Sequence, residues 1–399
     1  MNSNNFSPYT LTYDNLLFDL YLSFYRARKY KKKKPYVISF EADLDKNIHD
    51  LCDELYNRTY IPLPSTCFVI THPKLREVFA AQFRDRVVHH LYFNYTYPIF
   101  YRTFIQDSYS CIEGRGTHYG IERLEHHIRQ ESENYTKPCY ILKLDIKGYF
   151  IHINRNKLCD IALTSLEKMK THKSYLHGKV WEEVVDYDFT KYLTKEISLL
   201  DPTINCNIKG GQASLASLPD SKSLFKSPAD CGLPIGNLTS QLFSNVYLNV
   251  LDQYCKTELH CKHYGRYVDD FYVVSKDRNF LHDITKKIRL FLKNVLDLEL
   301  QEGKVRIYDA KYGVDFLGAF IKPYRNYVSN DSLRHMKDTL WDLEHNTNKQ
   351  TSVGNSVNSL LGVFSHYNSF NVRKDLFSNQ PFLNNYGWFN NDYSKFIPF

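Results

Sequence analysis

Leu16, Leu17, Leu20, Tyr21 and Phe24 recur at helical spacing and predict helix across residues 11–60. A second helical region is predicted over 74–100, and "CIEGRGTHYG", Cys111 to Gly120, reads as a glycine-bearing loop that opens a helix. The period then changes. "KPCYILKLDIKGYF", Lys137 to Phe150, reads as a strand ending in an acidic turn, and residues 156–200 return to a mostly helical pattern. Residues 201–230 are rich in Ser, Pro and Gly and predict a long surface loop or insertion. "GLPIGNLTSQLFSNVYLNVLDQYC" reads as a turn followed by a helix, with Leu242, Val246, Val250 and Leu251 on one face and Tyr254 continuing it. Tyr267-Val268 and Phe271 to Val274 are strong strand formers on either side of Asp269 and Asp270, which predicts strand, two-residue acidic turn, strand. A helix over about 279–296, a strand pair over Gly313 to Lys322, and helices from about 330 into an Asn- and aromatic-rich tail complete the chain. No internal repeat is present.

The chain has 399 residues, enough for two or three subdomains, and its 24% charged and 43% apolar composition is that of a soluble globular protein. No apolar run reaches the roughly eighteen residues that span a bilayer. The N-terminal "MNSNNFSPYT" lacks a signal-peptide core, so a cytoplasmic protein without a membrane partner is expected. Nine cysteines without a CxxC pair suggest reduced thiols. Cys255, His260, Cys261 and His263 cluster, but their spacing fits no common zinc pattern, and the plainer reading is that they pack ahead of the acidic turn. The net charge of +7 decides little by itself. Its distribution says more: "RARKYKKKKPY", Arg26 to Tyr36, holds seven basic residues in eleven. Such a run is usually a solvated face, but interleaved tyrosines favour a phosphate-backbone contact. Most of the 32 tyrosines are expected in the core, although aromatic rings can also stack on unpaired bases.

Two adjacent carboxylates repel each other and resist burial; such a pair is usually just a polar turn, but held rigidly between two strands Asp269 and Asp270 make sense if a cation sits between them and a third ligand. Asp145, at the end of its own apolar strand, is a third candidate ligand, and it converges with the pair if the two elements share a sheet. Magnesium takes oxygen ligands, commonly one or two carboxylates together with substrate phosphates. Two such ions about 4 Å apart clamp the attacking and leaving oxygens of an in-line phosphoryl displacement. In "DIKGYF" the backbone turns after Asp145, and its N–H groups could hold a triphosphate. Phe150 could crowd the 2′ position of an incoming sugar; taken alone it is an ordinary core phenylalanine.

The strand–acid–Phe150 segment, the Gly236-x-x-x-Ser240 helix start and Tyr267-Val268-Asp269-Asp270, in that order, resemble reverse transcriptases. Phe316-Leu317-Gly318 resembles the primer-grip region of that family, and "RDRVVHH" and "DSYSCIEGRGTH" resemble the fingers motifs of group II intron-like bacterial enzymes. The resemblance covers about residues 75–375. It implies an α+β right-hand polymerase: an N-terminal arm and fingers over 1–138, a palm with an antiparallel sheet over 139–325, and a helical thumb and tail over 326–399. It also implies two Mg2+ ions, with Mn2+ as a substitute, held by Asp145, Ile146, Asp269 and Asp270. Phe150, Ile235, Gly236, Gln241 and Arg115 are implied at the nucleotide, and Phe316, Leu317 and Gly318 at the template–primer. Lys304 lies where the family often has a lysine that could protonate the leaving pyrophosphate; otherwise it is a surface lysine. The implied partners are template RNA, an RNA/DNA duplex and dNTPs.

"LPIGNLTSQ" departs from most relatives: Ile235 stands where Gln is usual, and Gln241 where Pro is usual. That version resembles diversity-generating retroelement reverse transcriptases, which mutate cDNA at template adenines and work with a small basic accessory protein. Ser356 to Phe377 resembles the same group. Ile lacks the donor and acceptor groups by which Gln would fix a nucleotide, so sloppiness is expected, although adenine specificity does not follow from it. A retron-type or antiphage-defence reverse transcriptase copying a dedicated non-coding RNA stays open as the alternative. The 201–230 insertion and the lysine run are not assigned to the first group, and an oligomer on the RNA is open too. A different class, an RNA-binding scaffold with an inactive polymerase fold, sits poorly with three intact acids; a polymerase that makes RNA sits poorly with Phe150.

Overall fold

The computed structural model describes residues 8–71, 75–172, 179–210, 215–216, 218–345, 353–367 and 369–399. Lys74, residues 173–178, 211–214 and 217, and Asn368, on which expected elements partly fall, lie outside the described residues. The architecture is mixed α/β, with small, mostly antiparallel sheets and many helices. The chain divides into two compact units: 1–112 with 145–260 and 284–302, and 113–144 with 261–283 and 303–399.

The N-terminal helical pattern forms three helices, α1 (Tyr13–Arg28), α2 (Pro35–Ala42) and α3 (Leu44–Tyr56). Thr12 caps α1 by accepting the Asn15 N–H, and Pro35 sits in the first turn of α2, where a missing N–H costs nothing. Two strands follow, β1 (Ser65–Ile70) and β2 (Arg76–Ala80), then α4 (Phe83–Tyr101). This corrects the expected helix over 74–100: its first part is strand. Ala, Leu and Glu make the segment look helical, but β2 alternates buried Glu77 and Phe79 with more exposed neighbours and pairs antiparallel with β1. The Glu77 carboxylate is buried and accepts from the Ser223 hydroxyl at 3.0 Å and the Leu224 N–H at 2.7 Å.

Next come α5 (Thr117–Glu131), β3 (Tyr140–Asp145), the short α6 (Tyr149–His152), α7 (Arg155–Met169) and α8 (Tyr187–Ser198). The expected 201–230 loop contains a third strand, β4 (Cys206–Ile208), which pairs parallel with β1. α9 (Leu238–Gln253) runs into a π-helical turn, Tyr254–Glu258. The acidic hairpin is β5 (His263–Tyr267) and β6 (Asp270–Ser275), followed by α10 (Arg278–Leu296) and β7 (Arg306–Asp309). β8 (Val314–Phe316) and β9 (Ala319–Lys322) form the expected second pair, and β10 (Arg325–Val328) extends it.

In the first unit, α4 is buried along most of its length, with α1, α7, α8 and α9 packed against it. The Trp181 indole N–H donates to the Tyr95 carbonyl at 2.7 Å, which satisfies a fully buried ring. In the second unit, one sheet has the order β5-β6-β3-β7 and another the order β10-β9-β8. α11 (Asn330–His345), α12 (Val353–Phe364) and α13 (Phe370–Ser378) gather a core around Leu340, Val357, Phe364 and Phe377. The Asn-rich tail is not irregular: β11 (Gly387–Phe389) and β12 (Phe396–Pro398) pair, with Phe389 opposite Phe396 and their rings 4.9 Å apart. Among the described residues no helix is long and apolar enough to cross a membrane.

Candidate active site

The β5–β6 hairpin is buried along both strands and less buried at its tip, where Tyr267 pairs with Asp270 across the two-residue loop Val268-Asp269. Val268 has φ +55, and no other residue of that loop is left-handed, the pattern of a type II′ turn. Glycine is the usual residue there. A β-branched valine in that conformation carries strain of about 1–3 kcal/mol, tolerable only where the surroundings over-determine it. The constraint is visible: the Arg266 guanidinium is fully buried, and its Nη1 donates to the Val268 carbonyl at 2.9 Å. Asp269 and Asp270, at this turn, both remain partly accessible.

β3 lies beside β6 in the sheet. Lys143, two residues before Asp145, sends its ammonium 3.6 Å from Asp270 Oδ2. The same nitrogen donates to the Asp315 carbonyl at 2.8 Å and lies 5.7 Å from the Phe316 ring centre. Phe316 is buried, and the edge of Tyr272 meets it at 5.2 Å with the rings nearly perpendicular. The Tyr272 hydroxyl lies 3.0 Å from His127 Nδ1 of α5, and the His127 ring is 5.0 Å from that of His263. A polar network on α5 thus backs the hairpin. Leu317 (φ +51) and Gly318 (φ +85) are both left-handed and form a type I′ turn between β8 and β9. The Ser329 N–H donates to the Gly318 carbonyl at 2.9 Å, which fixes that turn.

In the first unit the backbone after Asp145 is pinned. The Asp145 carbonyl accepts from the Gln301 N–H at 2.8 Å, the Lys147 N–H donates to the Glu299 carbonyl at 2.9 Å, and Ile146 bridges to Leu300. The Ile146 side chain is aliphatic and buried, and only its main-chain oxygen is of a kind that could serve a cation. Tyr149 is the buried aromatic of "DIKGYF"; its hydroxyl donates to the Ser244 carbonyl at 2.6 Å. Phe150 is partly exposed, unlike a core phenylalanine, and its carbonyl accepts from the Leu233 N–H at 2.7 Å. That bond ties Phe150 to the loop carrying Ile235 and Gly236. The loop is fixed in turn to β2: Phe79 N–H donates to the Ile235 carbonyl at 2.9 Å, and Ala81 N–H to Asn237 Oδ1 at 3.2 Å. Gly236 has φ +124, and a Cβ there would sit 2.8 Å from Val78 Cγ1, so a side chain is excluded on both counts. Gln241 is exposed in the first turn of α9.

Arg115 is partly buried in the loop before α5, and Lys304 is exposed in a short 3-10 turn before β7. Among the described residues no three His, Cys, Asp or Glu side chains are grouped so that they could hold a metal ion by themselves. Lys143 and Arg266 were missed by sequence reasoning. Their signal was faint but present, a lone cation inside each of two apolar strands that flank the acids.

A mixed α/β protein with small antiparallel sheets, an acidic strand turn and a glycine loop laced to an aromatic turn fits a nucleotidyl-transfer class. The family described as reverse transcriptase (RNA-dependent DNA polymerase) matches residues 74–321. That is more than half of the chain, and the chain belongs to this family. Protein YkfC of Escherichia coli (strain K12) is 24% identical over 316 residues, covering 70% of this chain and 72% of YkfC. Solved structures of apo telomerase from Candida tropicalis are also similar. One, truncated from the C-terminal domain, has a TM-score of 0.46 and 11% identity over 67% of this chain and 55% of that one. Another has a TM-score of 0.47 and 10% identity over 79% and 60%. The chain spans less than two thirds of those telomerase chains.

Proposed function

We propose that the chain is an RNA-directed DNA polymerase of right-hand organisation, with fingers over 1–138, palm over 139–325 and thumb over 326–399. Family membership supports the reaction class. The observation that carries the site is the strained, Arg266-braced turn that presents Asp269 and Asp270 beside β3, the strand that Asp145 closes.

Enzymes of this family generally use divalent metal ions. The donor set fits a hard cation: carboxylate oxygens, partly accessible, with Asp270 already facing the positive charge of Lys143. Asp145, Asp269 and Asp270, with the Ile146 carbonyl, would hold magnesium. When bound, the ions supply charge neutralisation at the phosphates and activation of the attacking oxygen. The primer 3′-hydroxyl displaces pyrophosphate from the α-phosphorus of a dNTP. Phe150 stands where a 2′-hydroxyl would be excluded, Ile235 and Gly236 lie against the nascent pair, Arg115 contacts the triphosphate, and Lys304 gives a proton to the leaving pyrophosphate. Phe316, Leu317 and Gly318 hold the primer strand, and exposed Gln241 joins the nucleotide contacts.

Ile235 and Gln241 support an error-prone enzyme of the diversity-generating retroelement type, served by a small basic accessory protein. The lysine run favours a second reading, a retron or defence enzyme with a dedicated RNA. The test is primer extension on a defined RNA with dNTPs and magnesium. The wild type should extend the primer, while Asp269→Ala with Asp270→Ala should abolish extension and keep RNA binding. Extension by the double variant would remove the two-metal assignment.

A further inference from the structure

The segment between α1 and α2 is built rather than slack. The Lys31 N–H donates to the Arg28 carbonyl, the Lys34 N–H to the Lys31 carbonyl and the Val37 N–H to the Lys34 carbonyl, each at 2.9 Å. These bonds fold the lysine run into consecutive tight turns with a fixed spacing of charges. Its cations are not used internally. Arg28 pairs with Glu41 at 2.6 Å and Arg26 bonds Asn94, but among the described residues Lys29 and Lys31 through Lys34 make no ion pair. Lys32, Lys33 and Lys34 are all exposed.

Aromatic rings stand among these charges, each with a cation over one face. Tyr30 is 91% exposed at φ +64, with the Lys29 ammonium 5.3 Å from its ring centre. Tyr36 is 40% exposed beneath the Arg86 guanidinium at 4.8 Å. On α1, Phe18, Leu22 and Tyr25 form an exposed stripe that leads to Lys29, opposite the face that Leu16, Leu20 and Phe24 bury. The positive field reaches the neighbouring helix. His90 of α4 is pushed down to about 4 by burial, with the charges of Lys31 and Arg26 adding to it.

An anionic partner with flat, stackable faces matches this surface. An acidic peptide would satisfy the lysines and leave the rings unused. A bilayer would have only the narrow stripe of Phe18, Leu22 and Tyr25 to take up, since the wider apolar face of α1 is committed to the core. We propose that this elbow is a binding site for single-stranded RNA, with Tyr30 and Tyr36 stacking on bases and Lys29, Lys32, Lys33 and Lys34 contacting phosphates. That the bound strand belongs to the template molecule rests on the polymerase reading above.

The test uses the full chain and a labelled, unstructured RNA of about 20 nucleotides, with binding followed by anisotropy between about 50 and 200 mM salt. Each neutralised phosphate contributes about 0.7 to the slope of log affinity on log salt for a single strand. Lys32→Gln with Lys33→Gln and Lys34→Gln should therefore lower the slope by about 2, and the triple Arg variant should restore it. Tyr30→Ala should weaken binding on the order of tenfold at every salt with the slope unchanged. A wild-type slope in the Gln variant, or anionic vesicles bound in preference to RNA, would overturn the site. Primer extension on a pre-annealed duplex, run on the same samples, separates the two readings. Extension without an arm effect on binding would sink this site alone. An arm effect with no extension in any sample would sink the polymerase reading alone.

Discussion

The Lys143 ammonium lies 3.6 Å from the Asp270 carboxylate, anchored there by a 2.8 Å bond to the Asp315 carbonyl. In the metal-free protein this cation offsets one of two adjacent negative charges. Lys143→Met should therefore cost about 1 kcal/mol of stability without magnesium, as for a partly buried ion pair. It should also enlarge the rise in Tm on adding magnesium, because a cation at Asp270 no longer competes with a fixed one. Thermal melts of both proteins with and without magnesium check this. An equal magnesium effect in the two would place the ions away from Asp270.

Val268 stores strain at the hairpin tip, and Arg266 holds it there. Val268→Gly should raise stability by about 1 kcal/mol, since glycine adopts positive φ freely. It should lower the rate of synthesis, since the carboxylates would no longer be held in one place. Urea midpoints and single-turnover extension rates together test the claim. A gain in stability with no loss of rate would show that the strain has no part in positioning Asp269 and Asp270.

His89 is buried in α4, its Nδ1 meets no hydrogen-bond partner among the described residues, and burial, with His90 and Arg86 adding, pushes it from 6.5 down to about 3. Above pH 6.5 the folded and unfolded chains both hold it neutral, so it leaves stability unchanged there. As pH falls from 6.5, the unfolded chain takes the proton first, and stability drops by about 1.4 kcal/mol per pH unit. His89→Leu should lose that slope and cost little at neutral pH, because it also removes an unsatisfied buried nitrogen. Urea unfolding at pH 7 and pH 5 gives the comparison, with the variant about 2 kcal/mol less sensitive to the change. Equal sensitivity would mean that His89 is protonated in the fold.

The acidic hairpin and β3 were legible because β-branched and aromatic residues crowd both sides of the acids and nothing distant is needed to fix them. Gly236 was legible by its place ahead of a helix. β1, β2 and β4 were not. Their pairing joins residues 65–70 to 76–80 and to 206–208, and the 206–208 strand lies in a segment whose Ser, Pro and Gly content reads as loop. The tail hairpin failed for a similar reason, since Phe389 and Phe396 make a cross-strand pair whose value shows only once the strands meet. Lys143 was passed over because a lysine in a strand reads as an edge residue, and only the sheet order places it beside Asp270.

Ile235 offers the sharpest separation of the two subtypes. Its backbone is held independently of its side chain, by the Phe79 N–H at its carbonyl and by Gly236 closed against Val78. Ile235→Gln therefore changes what the side chain offers while the loop stays in place. Gln would add a donor and an acceptor where isoleucine offers neither, and an orienting hydrogen bond contributes on the order of tenfold to discrimination. In the retroelement reading, errors opposite template adenine should fall about tenfold in the variant, with kcat/KM for correct dNTPs changed only a few-fold. Sequencing the cDNA and sorting errors by template base reads this directly. A wild-type enzyme whose errors are rare or evenly spread, with no change in the variant, would favour the dedicated-RNA enzyme and leave Ile235 as a packing residue of the glycine loop.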